Sequence, residues 1–117
     1  MTISAPFYDL SRLTALYTAG FHDTFLDTAL HKIVDRQTAR DEADLAKVNS
    51  VLLEFERQYG EASDHFARRF MAGEAADTAD FMEWNAFYKM RQRILARLNI
   101  LRDNGDYERS GHLLERA

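Results

Sequence analysis

The feature that most constrains the fold is a stretch of 39 residues, from Phe21 to Tyr59, that contains neither proline nor glycine. Its apolar residues share one helical face when successive residues are placed about 100° apart. The two halves of this stripe keep the same phase although a polar run, residues 35–44, separates them. A loop would not preserve the phase, so the pattern predicts one continuous helix, with a break near residues 35–44 as the alternative. The stripe consists of Leu26, Leu30, Ile33, Val34, Leu45, Val48, Val51, Leu52, Phe55 and Tyr59.

Three further helices are predicted around this long one, and glycines mark their ends. A short helix is expected from about Asp9 to Ala19, a second from the capping residue Ser63 to Met71, and an amphipathic helix from about Ala79 to Arg102. β-Branched residues form no alternating runs, so no strand is expected. The prediction is an all-α fold in which residues 1–117 form one domain and the polar tail, residues 103–117, is mobile.

The length of the predicted long helix favours a dimer. A helix of about 38 residues spans about 57 Å, whereas a domain of this size has a radius of gyration of about 13 Å. A second copy of the chain is the simplest cover for the apolar ends, in an intertwined or antiparallel arrangement. If two such helices cross near Asp41, Arg40 of one copy faces Asp44 of the other. A solvated waist or a kink is the alternative. The candidate polar layer between the copies is Gln37, Arg40, Asp41 and Asp44.

Composition narrows the classes of function. The chain has 117 residues, a formal net charge of -4 and no cysteine, so disulfides, thiolate metal sites and cysteine nucleophiles are excluded. The acidic balance disfavours a dedicated nucleic-acid binder. The first residues lack the pattern of a signal peptide, and no apolar run is long enough to cross a bilayer. We therefore expect a cytoplasmic protein that does not bind membranes.

No motif for catalysis, cofactor binding or metal binding is found. Helical di-iron proteins use Glu-x-x-His pairs, and this sequence has none. The pairs Asp27/His31 and Glu61/His65 have the spacing i, i+4, which is more typical of surface ion pairs. The serines lie in no nucleophile motif, and no glycine-rich phosphate loop occurs. The sequence predicts no enzyme and no cofactor.

Charged residues suggest one binding surface and one buried cation. An acidic run at the start of the last helix has aromatic neighbours and is a candidate patch for a basic partner, although acids also favour helix N-termini for electrostatic reasons. Arg91 falls within the apolar stripe and is a candidate buried arginine that needs a carboxylate partner, with Glu54, Glu56 or Glu83 as candidates. The candidate patch comprises Glu74, Asp77, Asp80, Phe81, Glu83 and Trp84.

Several motifs resemble those of a recurrent group of small bacterial proteins. They are Ala29-Leu30-His31-Lys32 at the start of the long helix, Phe55-Glu56-x-x-Tyr59-Gly60 at its end, and Asp80-Phe81-x-Glu83-Trp84 at the start of the last helix. The similarity covers about residues 20–101. The group shows Met-Ser-Ser after Tyr-Gly, where this chain has Glu61-Ala62-Ser63. Members resemble antitoxin-like components of toxin–antitoxin pairs, which implies a protein that neutralises a partner by binding it.

The predicted function is therefore a dimeric, helical protein-interaction module that resembles antitoxins. Two alternatives stay open. One is a nucleic-acid-binding protein that uses Lys89, Arg93 and Arg97 on the solvent side of the last helix. The other is an enzyme or ligand carrier with a pocket at the dimer interface, near Arg91 and Asp41.

Overall fold

A computed structural model of the chain describes residues 5–103, and the regular structure in this range is entirely helical. The helices are α1 (Ala5–Thr18), α2 (Thr24–Tyr59), α3 (Ser63–Met71) and α4 (Ala79–Arg102). The all-α prediction is confirmed, and α2 continues without a break through residues 35–44. The predicted mobile tail lies outside the described residues except for Asp103. Across residues 5–103, no helix is long and apolar enough to span a membrane.

Contacts divide the chain into two compact units, with the boundary inside α2 between Ile33 and Val34. The first unit contains α1 and the first turns of α2. Helix α1 begins at Ala5, earlier than the predicted start at Asp9, and so includes Pro6 in its first turn. Proline is tolerated there because the first backbone N–H groups of a helix have no intrahelical acceptor.

The start of α2 is set by an aspartate cap. The Asp23 carboxylate accepts a hydrogen bond from the Leu26 backbone N–H at 2.8 Å, which satisfies one of the free N–H groups of the first turn. The helix therefore begins at Thr24 rather than at the predicted Phe21. The Tyr17 hydroxyl donates to Asp27 and joins α1 to α2 within this unit.

In the second unit, α2 and α4 run antiparallel and contact each other along their length. Asp41 pairs with Arg97, and the Phe55 ring stacks on Trp84 at 5.6 Å between centroids. Residue numbers therefore rise along one helix as they fall along the other. At the end of α2, the Tyr59 hydroxyl donates to Asp80.

The core of the second unit lies where α2, α3 and α4 meet. Trp84 is fully buried, and its indole stacks on the Phe66 ring with centroids 3.8 Å apart and planes 3° from parallel. Burying a large apolar side chain stabilises a fold by about 1.5–3 kcal/mol. The buried apolar residues are Val48, Leu52, Phe55, Phe66, Ala67, Trp84, Ile94 and Leu98.

Ser63 has a different role from the predicted helix cap. The cap position of α3 is Ala62, whose side chain makes no capping hydrogen bond. Ser63 is fully buried, and its hydroxyl accepts the indole Nε1–H of Trp84 at 2.9 Å. Its backbone N–H donates to the Glu56 carboxylate at 2.8 Å. The serine is required because a buried indole N–H needs an acceptor.

Ser63→Ala should destabilise the protein by about 1–3 kcal/mol, because the buried Trp84 N–H loses its acceptor. Urea unfolding followed by tryptophan fluorescence measures the change. Ser50→Ala is the matched control, since the Ser50 hydroxyl is exposed and donates only to the carbonyl of Ala46 in its own helix. The control should change stability by less than about 0.5 kcal/mol. Equal midpoints for the two variants would contradict this role of Ser63.

Candidate functional site

The predicted polar layer of α2 is engaged within the chain at Asp41. This residue is 1% exposed, and its carboxylate accepts hydrogen bonds from Arg97 Nε at 3.2 Å and Nη2 at 3.3 Å. Gln37 donates to the same carboxylate at 3.0 Å. Arg40 is exposed and Asp44 is half-buried. Asp41 therefore has its partners in its own chain, whereas the pairing of Arg40 with Asp44 between two copies stays a prediction.

The Asp41 pair also corrects the placement of Arg97, which was predicted to lie away from the packed face of the last helix. The Arg97 guanidinium holds the pKa of Asp41 below its ordinary value of 3.8, with smaller contributions from Gln37 and from the charge of Arg40, while burial acts in the opposite direction. In turn, Asp41 and the nearby charge of Asp44 raise the pKa of Arg97. Helical periodicity alone does not show that a half-exposed arginine reaches across to a neighbouring helix.

The basic surface proposed for nucleic acid is partly neutralised. Lys89 and Arg93 are exposed, but Arg97 is bound to Asp41. Arg102, near the end of α4, donates to Glu42 at 3.1 Å. Pairing with carboxylates lowers the positive field that attracts phosphate.

The predicted acidic and aromatic patch is divided between the core and the surface. Trp84 belongs to the core and offers nothing to a partner, so its inclusion in the patch was wrong. Phe81 is half-buried and packs edge-on against Tyr59 at 5.0 Å between centroids. Phe81 and Trp84 are three residues apart and therefore share the inner face of α4. The residues of the patch that remain exposed are Glu74, Asp77 and Glu83.

Arg91 is half-exposed rather than buried. Its guanidinium carbon lies 5.3 Å from the centroid of the Tyr88 ring, a cation–π contact that keeps the charge in reach of water. The predicted carboxylate partner is therefore not required. Asp41 is bound to Arg97, so Arg91 and Asp41 do not meet within one chain, and a pocket between two copies stays a prediction.

An ion-pair cluster links the turn after α2 to α3. Arg69 donates to both oxygens of Glu61 at 2.8 Å, and His65 contacts the same carboxylate. The hydrogen bonds from Arg69, with a smaller contribution from His65, lower the pKa of Glu61 from 4.5 to about 2, against the effect of burial. The sequence spacing indicated the Glu61/His65 pair but not Arg69, which lies one further turn along α3.

The largest feature that sequence reasoning missed is the apolar surface of the first unit. None of the residues 5–33 is buried. Leu13, Tyr17, Leu26 and Leu30 are half-buried, whereas seven large apolar side chains are exposed. We name these seven the hairpin surface. The signal was present in α1, whose apolar residues are too many for one helical face. The hairpin surface consists of Phe7, Tyr8, Leu10, Leu16, Phe21, Phe25 and Ile33.

The fold defines a small all-α protein whose notable features, within residues 5–103, are exposed apolar side chains and internal ion pairs. Within residues 5–103, no group of three or more histidine, aspartate or glutamate side chains is arranged to hold a metal ion. In comparisons with known proteins, no family model, no curated protein and no solved structure matches the chain significantly.

The Glu61 cluster should make the free energy of unfolding vary with pH in the acidic range. Because the folded-state pKa of about 2 lies below the ordinary 4.5, the ionised carboxylate stabilises the fold above pH 4.5, and this contribution is lost as the pH falls toward 2. Because the pKa of Asp41 is also lowered, its ionised carboxylate adds stability that is lost as the pH falls below the ordinary pKa of 3.8. Glu61→Gln should therefore lower the urea midpoint at neutral pH and flatten its decline in acid.

Urea midpoints across this pH range test the expectation. Asp77→Asn is the matched control, because Asp77 is an exposed carboxylate outside the cluster, and it should keep the wild-type pH profile. The role of Glu61 is refuted if Glu61→Gln also keeps that profile.

Proposed function

We propose that this chain is a non-enzymatic, helical protein-interaction module that neutralises a partner protein in the cytoplasm, as antitoxin-like proteins do. The observation that carries the proposal is the hairpin surface. It presents seven large apolar side chains on a unit in which no described residue is buried. We infer that so many exposed apolar side chains in one short unit form a contact site for another protein.

The first unit is poorly stabilised by its own contacts. Short helices are marginal in water without tertiary packing, and α1 has no buried residue. The Tyr17–Asp27 hydrogen bond joins α1 to α2, and Leu13, Leu26 and Leu30 are only half-buried. Covering the exposed side chains with a partner supplies the missing apolar burial, at about 25 cal/mol per Å². Binding a partner would therefore stabilise this unit.

The charge of the chain suggests the chemistry of the partner. The net charge is -4, and Glu74, Asp77 and Glu83 are exposed in the second unit. Acidic surface speeds association with a basic protein and disfavours acidic competitors. A toxin that binds RNA through basic residues fits this chemistry, and occupying its basic surface would block its access to RNA.

The alternatives receive less support. Arg97, which a nucleic-acid surface would use, is committed to Asp41. Within one chain, Arg91 and Asp41 do not meet, because Arg91 contacts Tyr88 and Asp41 contacts Arg97. The hairpin surface favours a protein partner because its exposed groups are apolar.

The test uses the product of the gene adjacent to this one, expressed with and without the chain. We expect that product alone to arrest growth and the chain to restore it. Phe25→Asp, at a side chain that is 81% exposed, should abolish the rescue and weaken binding about tenfold or more, as at interface hot spots. Titration calorimetry with the purified adjacent protein measures the affinity.

Ile100→Asp is the matched control, because Ile100 is 73% exposed but lies near the end of α4. It should bind and rescue like the wild type. A harmless adjacent gene product, or full rescue by Phe25→Asp, argues against the proposed function. Circular dichroism establishes that both variants keep the wild-type helix content.

A further inference from the structure

Two open depressions meet along the antiparallel pair of α2 and α4. The first is lined by Lys47 of α2 and Arg93 of α4, among others. The second is lined by Glu54 of α2 and Glu83 of α4. Val51 lines both depressions, so they form one continuous surface, which we name the α2–α4 face.

The centre of the α2–α4 face is apolar. Val51 and Phe87 are half-buried, and Met90 is 37% exposed. Beneath them, Val48 and Ile94 are buried in the core. A partner bound here would therefore cover partly exposed apolar side chains that pack on the buried core.

The two ends of the face carry opposite charge. Lys47 and Arg93 are exposed at one end, and Glu54 and Glu83 are exposed at the other. The basic end also holds Asp44 and Arg97, and Arg97 is already paired with Asp41. A partner with charge of a single sign would be attracted at one end and repelled at the other.

We infer that a second copy of the chain covers this face, related to the first by a two-fold axis that passes near Val51. The axis is perpendicular to α2, so it reverses the direction of the helix and places the basic end of each copy over the acidic end of the other. Lys47 and Glu54 are two helical turns apart, about 10.5 Å, with Val51 between them. Each interface therefore contains the pair Lys47–Glu54 twice, as two-fold symmetry requires.

Lys47 and Glu54 are exposed enough to form contacts between copies. Glu54 is paired within its helix with Arg57 at 3.5 Å, but the two side chains are 75% and 68% exposed. Exposed pairs of this kind contribute little to stability and exchange easily. The internal pair of Asp41 with Arg97 stays intact, which moves the crossing of the long helices from the predicted Asp41 to Val51. This dimer does not depend on the hairpin surface or on the identity of a partner.

A charge-swap series tests the interface by sedimentation velocity on the full chain. Lys47→Glu puts like charges together at both symmetric contacts, because the substitution is present in each copy. It should weaken the dimer about tenfold or more, and Glu54→Lys should do the same. The double variant K47E/E54K restores both pairs with reversed sign, and its Kd should return to within about threefold of the wild-type value.

Lys89→Glu is the matched control, because it makes the same change of charge at an exposed position of α4 outside the face. It should leave the dimer intact. The inference is overturned if the wild-type chain is monomeric at about 1 mM, which corresponds to only about 4 kcal/mol of association free energy. It is also overturned if a dimer forms and neither single charge reversal changes its Kd. Sedimentation measures self-association in the absence of the adjacent gene product. A negative result for the dimer is therefore distinct from a negative result for the proposed function.

Discussion

The second unit depends on the surroundings of the Trp84 indole. Its ring stacks on Phe66 from α3 and on Phe55 from α2, and its N–H is accepted by the buried Ser63 hydroxyl. One side chain of α4 therefore sets the positions of the other two helices. Dispersion and apolar burial supply most of the stabilisation, whereas the directional N–H···O bond selects one orientation of the indole. This explains why a polar residue, Ser63, is required at the centre of the apolar core.

Ion pairs extend this arrangement to the ends of the unit. Asp41 holds Arg97 of the antiparallel helix, and Glu61 holds Arg69 of α3. Each carboxylate is less exposed than its arginine, so the pair satisfies a costly desolvated charge without removing the whole guanidinium from water. These pairs fix the register of the helices. They also remove Asp41 and Arg97 from the groups that a partner or a nucleic acid could contact.

The helices were predictable because their signals are local. The positions of the glycines and the single proline were sufficient to predict the bounds of α3 and α4. The constant helical phase of the apolar stripe was sufficient to predict that α2 is continuous. The predictions were wrong where the role of a side chain depends on contacts with another helix. Ser63 has the residue type of a cap but serves Trp84, and Trp84 was assigned to a surface because acidic residues surround it in sequence. Arg91 lies on the apolar stripe, yet its long side chain reaches Tyr88 and water.

The sequence by itself determined that this protein is all-helical, with one uninterrupted helix too long for a compact domain, because helix propensity and apolar periodicity are properties of neighbouring residues. Only the tertiary structure decided which charges are used internally and which apolar residues stay uncovered. Those outcomes depend on distances between residues such as Asp41 and Arg97, which lie 56 positions apart. The hairpin surface and the α2–α4 face emerged for the same reason, since exposure is what remains after the helices have packed.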